Sequence, residues 1–563
     1  MFPTGKLEYD IVANAVRAPT RYDGHMDSTL LASVPGPVLA IGGTLHERGR
    51  DAVLVGGAVR DALLGVASAD WDLVTDADAE EVRAVAERTS GVRSLYDVGK
   101  RFGTIGVALD GGGTLEISGY RPEALPGATL AARFAADAAC RDFTINAIGV
   151  DLATGALLDP VGGQVDLARR ILRAPGDPAA RFAEDPLRVI RAARFVAELG
   201  FELEAATRDS LPGAAPALER VAPERVREEL TRLLVAPFAP HGLEVLHESG
   251  ALAVVLPEVA ALDGVTQPTF HDLDVLAHTI MAVGLAPAAA VLRWATLLHD
   301  VGKAQTRAVQ PDGRIRFFGH AQQGSRMAAQ IVSRLRFSAA DGAAIVHLVG
   351  AHMHLGEIEL ANPKSVDRAV RKLDLRLDET AEEPLVSAED VVALTLADFG
   401  ATAHREQVAD LCEALEGAVT ASRERGTHRP VVSPITGGDI MRAFGLAEGR
   451  AVGAAKRAVE DAIERGDLES DDVEGAYVVA GAALQAVGGG AAGAETDPRE
   501  DESGDLAGSY RTRRLLMGVV SLVVIVALLL LVILGVARIV PRERQAPPSP
   551  VRMANAAASA SHA

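Results

Sequence analysis

The chain has 563 residues and a formal net charge of −20, and this acidic balance argues against a protein that coats nucleic acid through bulk positive charge. Its length exceeds the size at which one hydrophobic core stops growing, so about two to four domains are expected. Its two cysteines, Cys140 and Cys412, exclude a disulfide framework and a cysteine-rich zinc site, so a bound metal must use carboxylates or histidines.

The first chemical signal is a short apolar strand that ends in Gly56-Gly57 and leads into an amphipathic helix, in AVLVGGAVRDALLG from Ala52 to Gly65. Glycines let the backbone approach an anion, the start of a helix offers N–H groups, and Arg60 can reach a phosphate. The pattern is typical of a phosphate-binding turn, but a Gly-Gly turn before a helix is also common as plain structure.

Two carboxylates follow on the next predicted strand, in ADWDLVTDA. Alternation along a strand places Asp70 and Asp72 on one face, with Trp71 on the other. Close carboxylates repel each other unless divalent cations lie between them, and two such ions can support phosphoryl transfer. The pair therefore predicts a metal site, with a solvent-facing acidic strand edge as the alternative.

At this point the sequence resembles the class II tRNA nucleotidyltransferase family, within the polymerase-beta-like nucleotidyltransferase superfamily. RFGTIGVALDGGGTLEISGYRPE, from Arg101 to Glu123, is similar to the family's strand pair, and Glu116 falls where a third acidic residue often sits. CRDFTINAI resembles the family's Arg-Arg-Asp-Phe-Thr motif, with Cys140 at the place of the first arginine. The resemblance implies that Arg141 contacts the triphosphate and Asp142 the ribose.

The next segments resemble the family's linker and its helical neck. LLDPVGGQVDLARRILRAPG, from Leu157 to Gly176, is similar to the linker, and the stretch from Ala183 to Phe201 follows it. Residues spaced by three lie on nearly one face of a helix, although an ordinary solvated helix shows the same spacing. The predicted nucleotide-selecting face consists of Asp185, Arg188, Arg191 and Arg194.

The chemistry of this face follows from base edges. Cytosine and adenine both present an exocyclic amino donor beside a ring-nitrogen acceptor, so Asp185 could accept from the amine and Arg188 could donate to the ring. Uracil and guanine would place a keto oxygen against the carboxylate and leave polar groups unpaired. The resemblance implies the same selection, with Arg191 and Arg194 as support for the base or phosphates, and a bracing helix from Val221 to Leu234.

From about Phe270 the sequence changes to helices that carry many histidines. His299-Asp300, with His278 upstream and Asp398 downstream, resembles the ligand set of an HD phosphohydrolase domain. Imidazoles with carboxylates suit a divalent transition metal better than magnesium, and a metal-bound water would attack a phosphate ester. An inert helical body is the alternative. The resemblance implies further metal or phosphate ligands at Lys303, His320 and His352, whereas His347 and His354 are interpreted as structural.

The C-terminal sequence predicts a membrane anchor. The stretch from Ser433 to Ser470 resembles the family's helical segment after the HD domain, and an acidic Gly/Ala-rich linker follows it. Leu515 to Ala537 contains no charge over 23 residues, which is long enough for a helix to cross a bilayer. Arginines flank both sides about equally, so the orientation follows from function: a cytoplasmic catalytic part and a short tail outside.

The sequence therefore predicts an α+β protein: a small mixed-sheet head, an all-helical neck, HD body and tail, and one C-terminal transmembrane helix. The expected function is addition of C, C and A from CTP and ATP to tRNA 3′ ends with Mg²⁺, in the cytoplasm. The alternatives are an A-adding enzyme or poly(A) polymerase, a principal phosphohydrolase, and a membrane-tethered RNA-binding protein. The sequence leaves the oligomeric state open. The expected domains are an N-terminal segment (1–50), the head (51–160), the neck (161–245), the HD domain (246–400), a C-terminal body (401–487), a linker (488–514), the transmembrane helix (515–537) and a tail (538–563).

Overall fold

The computed structural model forms two compact units, one before residue 427 and one after residue 432. Within the described part, no helix has both the length and the apolar character that crossing a membrane requires. The predicted span from Leu515 to Ala537 lies outside the described residues. The described residues are 28–98, 103–121, 127–267, 273–360, 362–377, 383–402, 405–426, 433–447, 449–465, 467–469 and 471–488.

The first part of the chain alternates helices and strands, which agrees with the predicted α/β head. The N-terminal segment contributes two helices before the first strand. In chain order the elements are α1 (Ser28–Ser33), α2 (Gly36–Glu47), β1 (Val53–Val55), α3 (Gly57–Leu63), β2 (Asp70–Thr75), α4 (Ala79–Ala86), β3 (Val92–Val98), β4 (Thr104–Leu109), β5 (Thr114–Gly119), α5 (Leu130–Ala139), a 3₁₀ turn (Thr144–Asn146), β6 (Gly149–Asp151) and β7 (Leu157–Leu158).

These strands form one seven-stranded mixed sheet in the order β3-β4-β5-β2-β1-β6-β7. β2 and β5 run parallel, and the other neighbours are antiparallel. Side chains alternate between faces: Leu54 and Leu73 pack into the core that contains α2 and α4, whereas Val55 and Val74 pack with Phe134 of α5. Because both faces are covered, the sheet is a rigid platform for side chains at strand ends.

The neck is mainly helical, as predicted, but it also contains a short parallel strand pair, so the prediction of an all-helical neck is wrong in this detail. Ile171 and Leu172 pair with Glu202 and Leu203, where apolar side chains fit a half-buried strand. The elements are α6 (Gly163–Arg169), β8 (Ile171–Leu172), α7 (Pro178–Glu184), α8 (Leu187–Leu199), β9 (Glu202–Leu203), α9 (Ala205–Ala214), a 3₁₀ helix (Ala215–Arg220), α10 (Pro223–Leu234) and α11 (Ala239–Glu248).

The HD domain is a bundle in which the helices Val275–Leu285, Ala290–Leu298, Ala339–Ala351 and Ala388–Gly400 pack on one another, around buried side chains such as Trp294 and Leu298. The elements that follow α11 in this unit are α12 (Ala251–Val255), α13 (Pro257–Ala260), α14 (Val275–Leu285), α15 (Ala290–Leu298), α16 (Lys303–Thr306), β10 (Arg307–Val309), β11 (Ile315–Phe317), α17 (His320–Arg334), α18 (Ala339–Ala351), a 3₁₀ turn (His354–Glu357), α19 (Pro363–Leu373), α20 (Ala388–Gly400) and α21 (Arg405–Arg425).

The HD domain also contains a β-hairpin that the prediction of an all-helical body missed. β10 and β11 pair in an antiparallel register, from Arg307 opposite Phe317 to Val309 opposite Ile315. The turn contains Pro311, Asp312 and Gly313, and Gly313 has φ 80°, which favours glycine. A Pro-Asp-Gly run between apolar residues is a turn signal in the sequence.

The second unit is a helical core of its own, as expected for the segment from Ser433 to Ser470. Thr436 and Asp439 form a capping box at the start of the helix Gly437–Phe444, which satisfies two backbone donors. Ile440, Val459 and Ala476 are fully buried in its core. The elements are α22 (Gly437–Phe444), α23 (Arg450–Arg465) and α24 (Val473–Gly488).

Candidate active site

The head and the neck together line a cavity of about 500 Å³. Most of the head and neck residues that the sequence singled out lie on its wall. The head contributes Gly56, Gly57, Ala58, Arg60, Asp61, Ser68, Asp70, Asp72, Arg121, Arg141, Asp142 and Asn146, and the neck contributes Asp185, Arg188, Arg191, Arg194, Phe195, Glu198, Arg225 and Arg232.

The Gly56-Gly57 turn lies where β1 ends and α3 begins, as predicted. Gly56 has φ 80°, and a Cβ at this position would lie 2.5 Å from Asp72 Oδ2, so a side chain here would be strained and would collide with the carboxylate. Arg60 of α3 is buried, and its guanidinium donates to Asp61 and to Asn146, both at 2.8 Å. The turn therefore combines open backbone with a fixed cation.

Strand β2 places Asp70 and Asp72 on one face, which confirms the predicted alternation. Asp72 lies opposite Glu116 of β5 in the parallel register, and Thr114 Oγ1 donates to Asp70 Oδ1 at 2.8 Å. Burial raises the pKa of Asp72 to about 6; Arg141 opposes this rise, and the charges of Glu116 and Asp70 add to it. The carboxylate therefore lies where an added positive charge would favour its ionised form.

The oxygen donors of this face fit a hard divalent cation such as Mg²⁺, which binds through one or two carboxylates and keeps sites for water or phosphate. They do not form a closed cage. The described groups of three or more metal-ligating side chains whose atoms lie within 4.8 Å of one another are all in the HD domain. Glu116 lies beside Asp72 on the sheet but does not line the cavity.

The segment after α5 brings Arg141 and Asp142 to the cavity. Arg141 Nε donates to Asp137 at 2.9 Å. Asp142 accepts from Arg191 Nη2 at 2.5 Å and from Asn146 Nδ2 at 3.2 Å. Burial is the largest single influence and raises the pKa of Asp142, but Arg191, with the hydrogen bonds from Asn146 and the Phe143 backbone, outweighs burial and holds the pKa below its usual range. The pair joins the head to α8 of the neck.

Asp185 lies outside the helix on which the sequence spacing placed it, so that part of the prediction is wrong. It has φ −142° and ψ 98° at the break between α7 and α8. The cause is Pro186, because a proline disfavours helical backbone at the residue before it. Asp185 Oδ1 accepts from Leu187 N at 3.2 Å, and Oδ2 accepts from Arg225 Nη2 at 3.0 Å. The carboxylate nevertheless lines the cavity.

Arg188 lies on α8, and two backbone oxygens and the Glu184 carboxylate hold its guanidinium. Nη2 donates to Cys140 O at 2.8 Å, and Nη1 donates to Arg181 O at 2.9 Å and to Glu184 at 3.2 Å. The contact from Cys140 uses its main chain, so this contact does not depend on the side chain at that position. Of the five N–H donors of Arg188, Nε–H and one Nη2 hydrogen are not used in these bonds.

Glu229 of α10 fixes the remaining arginines of α8. Its two oxygens lie 3.1 Å from Arg191 Nη1 and 3.0 Å from Arg194 Nε. Arg194 is buried, its guanidinium lies 4.2 Å from the centre of the Phe195 ring, and burial lowers its pKa to about 10. Arg191 and Arg194, which were predicted to have supporting roles, are thus both paired with Glu229. This residue lies on the helix for which a bracing role was predicted.

Sequence reasoning missed several residues of the cavity wall. Asn146 lies in the same motif as Asp142, four positions later, and its signal was the motif itself. Arg225 and Arg232 are seven residues apart on α10, with Glu229 between them, and that helical spacing was a readable signal. No sequence pattern distinguishes the others. The missed residues are Ala58, Asp61, Ser68, Arg121, Asn146, Phe195, Glu198, Arg225 and Arg232.

In the HD domain the four predicted ligands come together. The ligand atoms of His278, His299, Asp300 and Asp398 lie within 4.8 Å of one another. His278 Nε2 lies 2.9 Å from Asp398 Oδ1. Burial is the largest single influence and lowers the pKa of His299, but Asp300 and Asp398 together outweigh burial and raise this pKa to about 10. The cluster therefore holds positive charge between its carboxylates.

This cluster fits a metal ion on two further observations. His299 Nε2 lies 3.1 Å from Asp300 Oδ2 and 3.5 Å from Asp398 Oδ1. Neither contact has hydrogen-bond geometry, so this buried nitrogen has no hydrogen-bond partner among the described residues. His299 Nδ1 lies 2.7 Å from the Thr296 carbonyl oxygen, an arrangement that directs Nε2 toward a metal.

Asp300, His320 and His352 form a second group of the same kind. The Nδ1 atoms of both histidines face backbone carbonyl oxygens, at 3.0 and 2.7 Å, and the two Nε2 atoms lie 3.2 Å apart. Burial lowers the pKa of His352 to about 4 and also lowers that of His320. Two neutral rings that both donate through Nδ1 present facing lone pairs, which a cation between them would stabilise.

The remaining predicted residues of this domain lie as follows. Lys303 Nζ is 2.6 Å from Asp300 Oδ2 and donates to Gln267, so its ammonium is engaged by the cluster. His347 Nε2 lies 2.6 Å from the Leu373 carbonyl oxygen, and His354 Nδ1 lies 3.2 Å from the Ala351 carbonyl oxygen, which agrees with structural roles for both.

Known families match this arrangement segment by segment. The poly A polymerase head domain matches residues 52–173, the probable RNA and SrmB-binding site of polymerase A matches 200–262, and the HD domain matches 271–398. The fold and the cavity thus define a nucleotidyltransferase of the poly A polymerase head class that also carries an HD domain.

Whole-chain relatives narrow this class. The A-adding tRNA nucleotidyltransferase of Deinococcus radiodurans is 35% identical over 440 residues, which are 76% of this chain and 94% of the relative. The CC-adding tRNA nucleotidyltransferase of Thermus thermophilus is 34% identical over 441 residues, 76% of this chain and 93% of that one. The crystal structure of the Bacillus stearothermophilus CCA-adding enzyme with CTP aligns with a TM-score of 0.54 and 26% identity over 78% of this chain and 95% of that one. The chain therefore belongs to the tRNA nucleotidyltransferase family.

Proposed function

We propose that this enzyme adds C, C and A, from CTP and ATP, to the 3′ ends of tRNA without a nucleic-acid template. The observation that carries the proposal is that one cavity is lined by the Gly56-Gly57 turn, the Asp70 and Asp72 carboxylates, and the Asp185 and Arg188 pair. A phosphate site, a metal site and a base-selecting site in one space of about 500 Å³ suit a nucleoside triphosphate. The activities in the names of the relatives support the same reaction.

Asp70 and Asp72 would hold Mg²⁺, with Glu116 beside them as a third negative charge. When bound, the ions supply positive charge to the α-phosphate and to the tRNA 3′-hydroxyl. That hydroxyl gives up its proton to water, and its oxygen bonds to the α-phosphorus as the bond between this phosphorus and the α,β-bridging oxygen breaks, so that pyrophosphate leaves. The backbone of Gly56 and Gly57, with Arg60 and Arg141, binds the phosphates, because fixed donors hold charge that water would otherwise have to stabilise.

Asp185 and Arg188 select the base. The carboxylate accepts from the exocyclic amine of cytosine or adenine, and the unused N–H donors of Arg188 meet the ring nitrogen. A keto base would leave the carboxylate and the base oxygen facing each other, which costs the desolvation of both groups. Asp142 contacts the ribose, and Arg191 holds the Asp142 carboxylate in place. Arg194 supports the cavity wall behind Asp142.

The experiment that tests this function is incorporation of each labelled nucleotide into tRNA that lacks its last three, two or one nucleotides. Addition of C, C and then A in order is the expected result. Addition of A alone would assign the narrower activity named for the Deinococcus relative, and addition of C alone that of the Thermus relative. Long runs of A would assign a poly(A) polymerase, and no incorporation of any nucleotide would contradict the proposal.

A second activity, metal-dependent hydrolysis of phosphate esters by the HD domain, is favoured by the buried His299 Nε2 that has no hydrogen-bond partner among the described residues. His278, His299, Asp300 and Asp398 would hold a divalent transition metal, which when bound supplies an activated water. Lys303, His320 and His352 border it. Release of p-nitrophenol from p-nitrophenyl phosphate with Ni²⁺, Co²⁺ or Mn²⁺, and its loss in His299→Ala, is the expected result. Equal turnover in both proteins would contradict it.

We also propose that the catalytic part lies in the cytoplasm and that residues 515–537 anchor it to the cytoplasmic membrane. The support is the uncharged sequence of this stretch and the need of the enzyme for ATP, CTP and tRNA. The proposed domain bounds are those predicted above from the sequence. The full chain should remain with membranes after an alkaline wash, whereas a chain that ends at residue 488 should be released. Release of both would refute the anchor.

A further inference from the structure

We propose that Arg225 positions the Asp185 carboxylate and thereby sets how strongly the enzyme rejects keto bases. The inference rests on the proposed function, since it concerns the same cavity. It assigns a selecting role to α10, a helix whose sequence predicted only bracing of the site.

The geometry of Asp185 requires an external partner. Asp185 lies at a break between two helices and has a non-helical backbone conformation, so the direction of its side chain is not set by a regular helix. Oδ1 accepts from Leu187 N at 3.2 Å, and this single bond leaves the carboxylate free to rotate about the direction of that contact. The second bond, from Arg225 Nη2 to Oδ2 at 3.0 Å, stops the rotation. Two bonds together set the plane in which the remaining lone pairs face the cavity.

Arg225 itself starts from a fixed position. It lies one helical turn before Glu229 on α10, and Glu229 is buried between Arg191 and Arg194 of α8. This contact ties α10 to α8, so the base of the Arg225 side chain does not move relative to the start of α8. Arg225 is 54% exposed and Asp185 is 34% exposed in their side chains, so the pair contributes little to folding, and its effect should be seen in substrate selection.

The consequence is a defined effect on specificity. With Arg225 present, the Asp185 carboxylate is oriented to accept a hydrogen bond from the amino group of the base. A keto oxygen at the same place would be repelled by the negative charge of the carboxylate. Without Arg225 the carboxylate can turn away from a keto oxygen, so the wrong base loses part of its penalty while the correct base loses its preformed acceptor. Arg225 is therefore a positioning residue that acts through Asp185.

The test compares kcat/KM for a cognate nucleotide and its keto counterpart, CTP against UTP or ATP against GTP, with the full chain and truncated tRNA. Arg225→Ala should reduce the ratio by about tenfold, the factor that corresponds to roughly 1.4 kcal/mol. Arg225→Lys keeps the positive charge but loses the planar guanidinium, so its ratio should lie between those of the unmodified chain and Arg225→Ala. Arg208→Ala, an exposed arginine on α9 outside the cavity wall, is the matched control and should leave the ratio unchanged.

A double-mutant cycle separates this role from a general one. In an Asp185→Asn background, Arg225→Ala should lower the ratio no further. Equal loss for cognate and keto nucleotides, a change confined to the KM for tRNA, or full additivity with Asp185→Asn would each overturn the proposal. Failure of the unmodified chain to incorporate any nucleotide would instead refute the proposed function, so the two failures are distinguishable.

Discussion

The head cavity and the HD cluster are both proposed to bind phosphate and metal, but their sets of metal-ligating side chains differ in how complete they are. Among the described residues of the head, no third metal-ligating side chain groups with Asp70 and Asp72, and the cavity wall is open and rich in arginine. In the HD domain, four ligands lie within 4.8 Å of one another, and His299 and Asp300 are almost wholly buried. The head site is open toward its substrate, whereas the ligands of the HD cluster already lie together before any metal binds.

The difference teaches which part of each site the protein supplies. Mg²⁺ keeps several waters and is commonly shared between carboxylates and substrate phosphates, so we expect a bound triphosphate to supply the ligands that the proposed head site lacks. A transition metal bound by imidazole needs its ligands and their outer hydrogen bonds in place before it binds. We therefore expect the head to depend on its substrate and the HD domain to retain its metal through purification.

The largest effect should follow from removal of a head carboxylate. Asp70→Ala removes one of the two proposed Mg²⁺ ligands, and several kcal/mol of transition-state stabilisation correspond to a loss of about 1,000-fold or more in kcat. Single-turnover incorporation of labelled CTP into truncated tRNA measures it. Hydrolysis of p-nitrophenyl phosphate by the HD domain should be unchanged in the same protein.

Asp110→Ala is the matched control for this prediction, because Asp110 is an exposed aspartate at the end of β4 and outside the cavity. It should incorporate CTP at the rate of the unmodified chain. If Asp70→Ala retained incorporation, the assignment of the head carboxylates would be wrong, and the two regions would not differ in the way proposed.

The second effect concerns metal retention in the HD domain. His299→Ala removes a buried ligand and should weaken binding of a transition metal by about 100-fold or more, on the scale at which even outer partners cost 10- to 100-fold. Because Asp300 and Asp398 together outweigh burial and raise the pKa of His299 to about 10, metal must displace a proton, so the metal affinity of the unmodified chain should rise with pH below that value. Metal content by mass spectrometry and competition with a chelator measure both.

His347→Ala serves as the control, since the ring of His347 faces the Leu373 carbonyl oxygen rather than the cluster. It should retain metal and the pH dependence. Equal metal content in His299→Ala and the unmodified chain would show that the cluster is not a resident metal site, and the contrast with the head would then disappear.

The two regions also differ in how far the sequence predicted them. The strand alternation of Asp70 and Asp72 was predictable because period two is a local property, and the HD ligands were predictable through a family resemblance. The position of Asp185 was not, because spacing by three suggested a helix and the local effect of Pro186 overrode it. Arg225 and Glu229 act across helices, and pairing of that kind depends on packing that one sequence does not display.

The third effect is on stability. Glu229 is buried and lies against both Arg191 and Arg194, so Glu229→Gln leaves buried positive charge without its partner. Loss of one partner of a buried ionic group costs about 3 kcal/mol. Denaturant unfolding followed by the fluorescence of Trp71 and Trp294, which are both buried, measures it.

Glu228→Gln on the same helix is the control, because Glu228 is 67% exposed and its contact with Arg227 is long, at 3.7 Å. Its unfolding curve should match that of the unmodified chain. If both substitutions changed stability equally, Glu229 would not be the contact that ties α10 to α8.

The smallest effect is on the pH dependence of stability and comes from Asp72, a carboxylate of the head site whose positive counter-charge would come from bound cations. Burial raises the pKa of Asp72 from 3.8 to about 6, so the folded protein favours the protonated form. The stability that this proton contributes is fully present below pH 3.8 and is lost as the pH rises through about 6. Asp72→Asn cannot lose a proton, so relative to the unmodified chain it should gain about 2 kcal/mol between pH 4 and pH 8 in a chelator. Added Mg²⁺ should stabilise the ionised Asp72 and reduce the gain at pH 8, as expected for a site that its substrate and ions complete. A stability difference that stays constant over this pH range would mean that the pKa of Asp72 is not raised in the folded protein. The head site would then need no added cation, and it would not differ from the HD cluster in the way proposed.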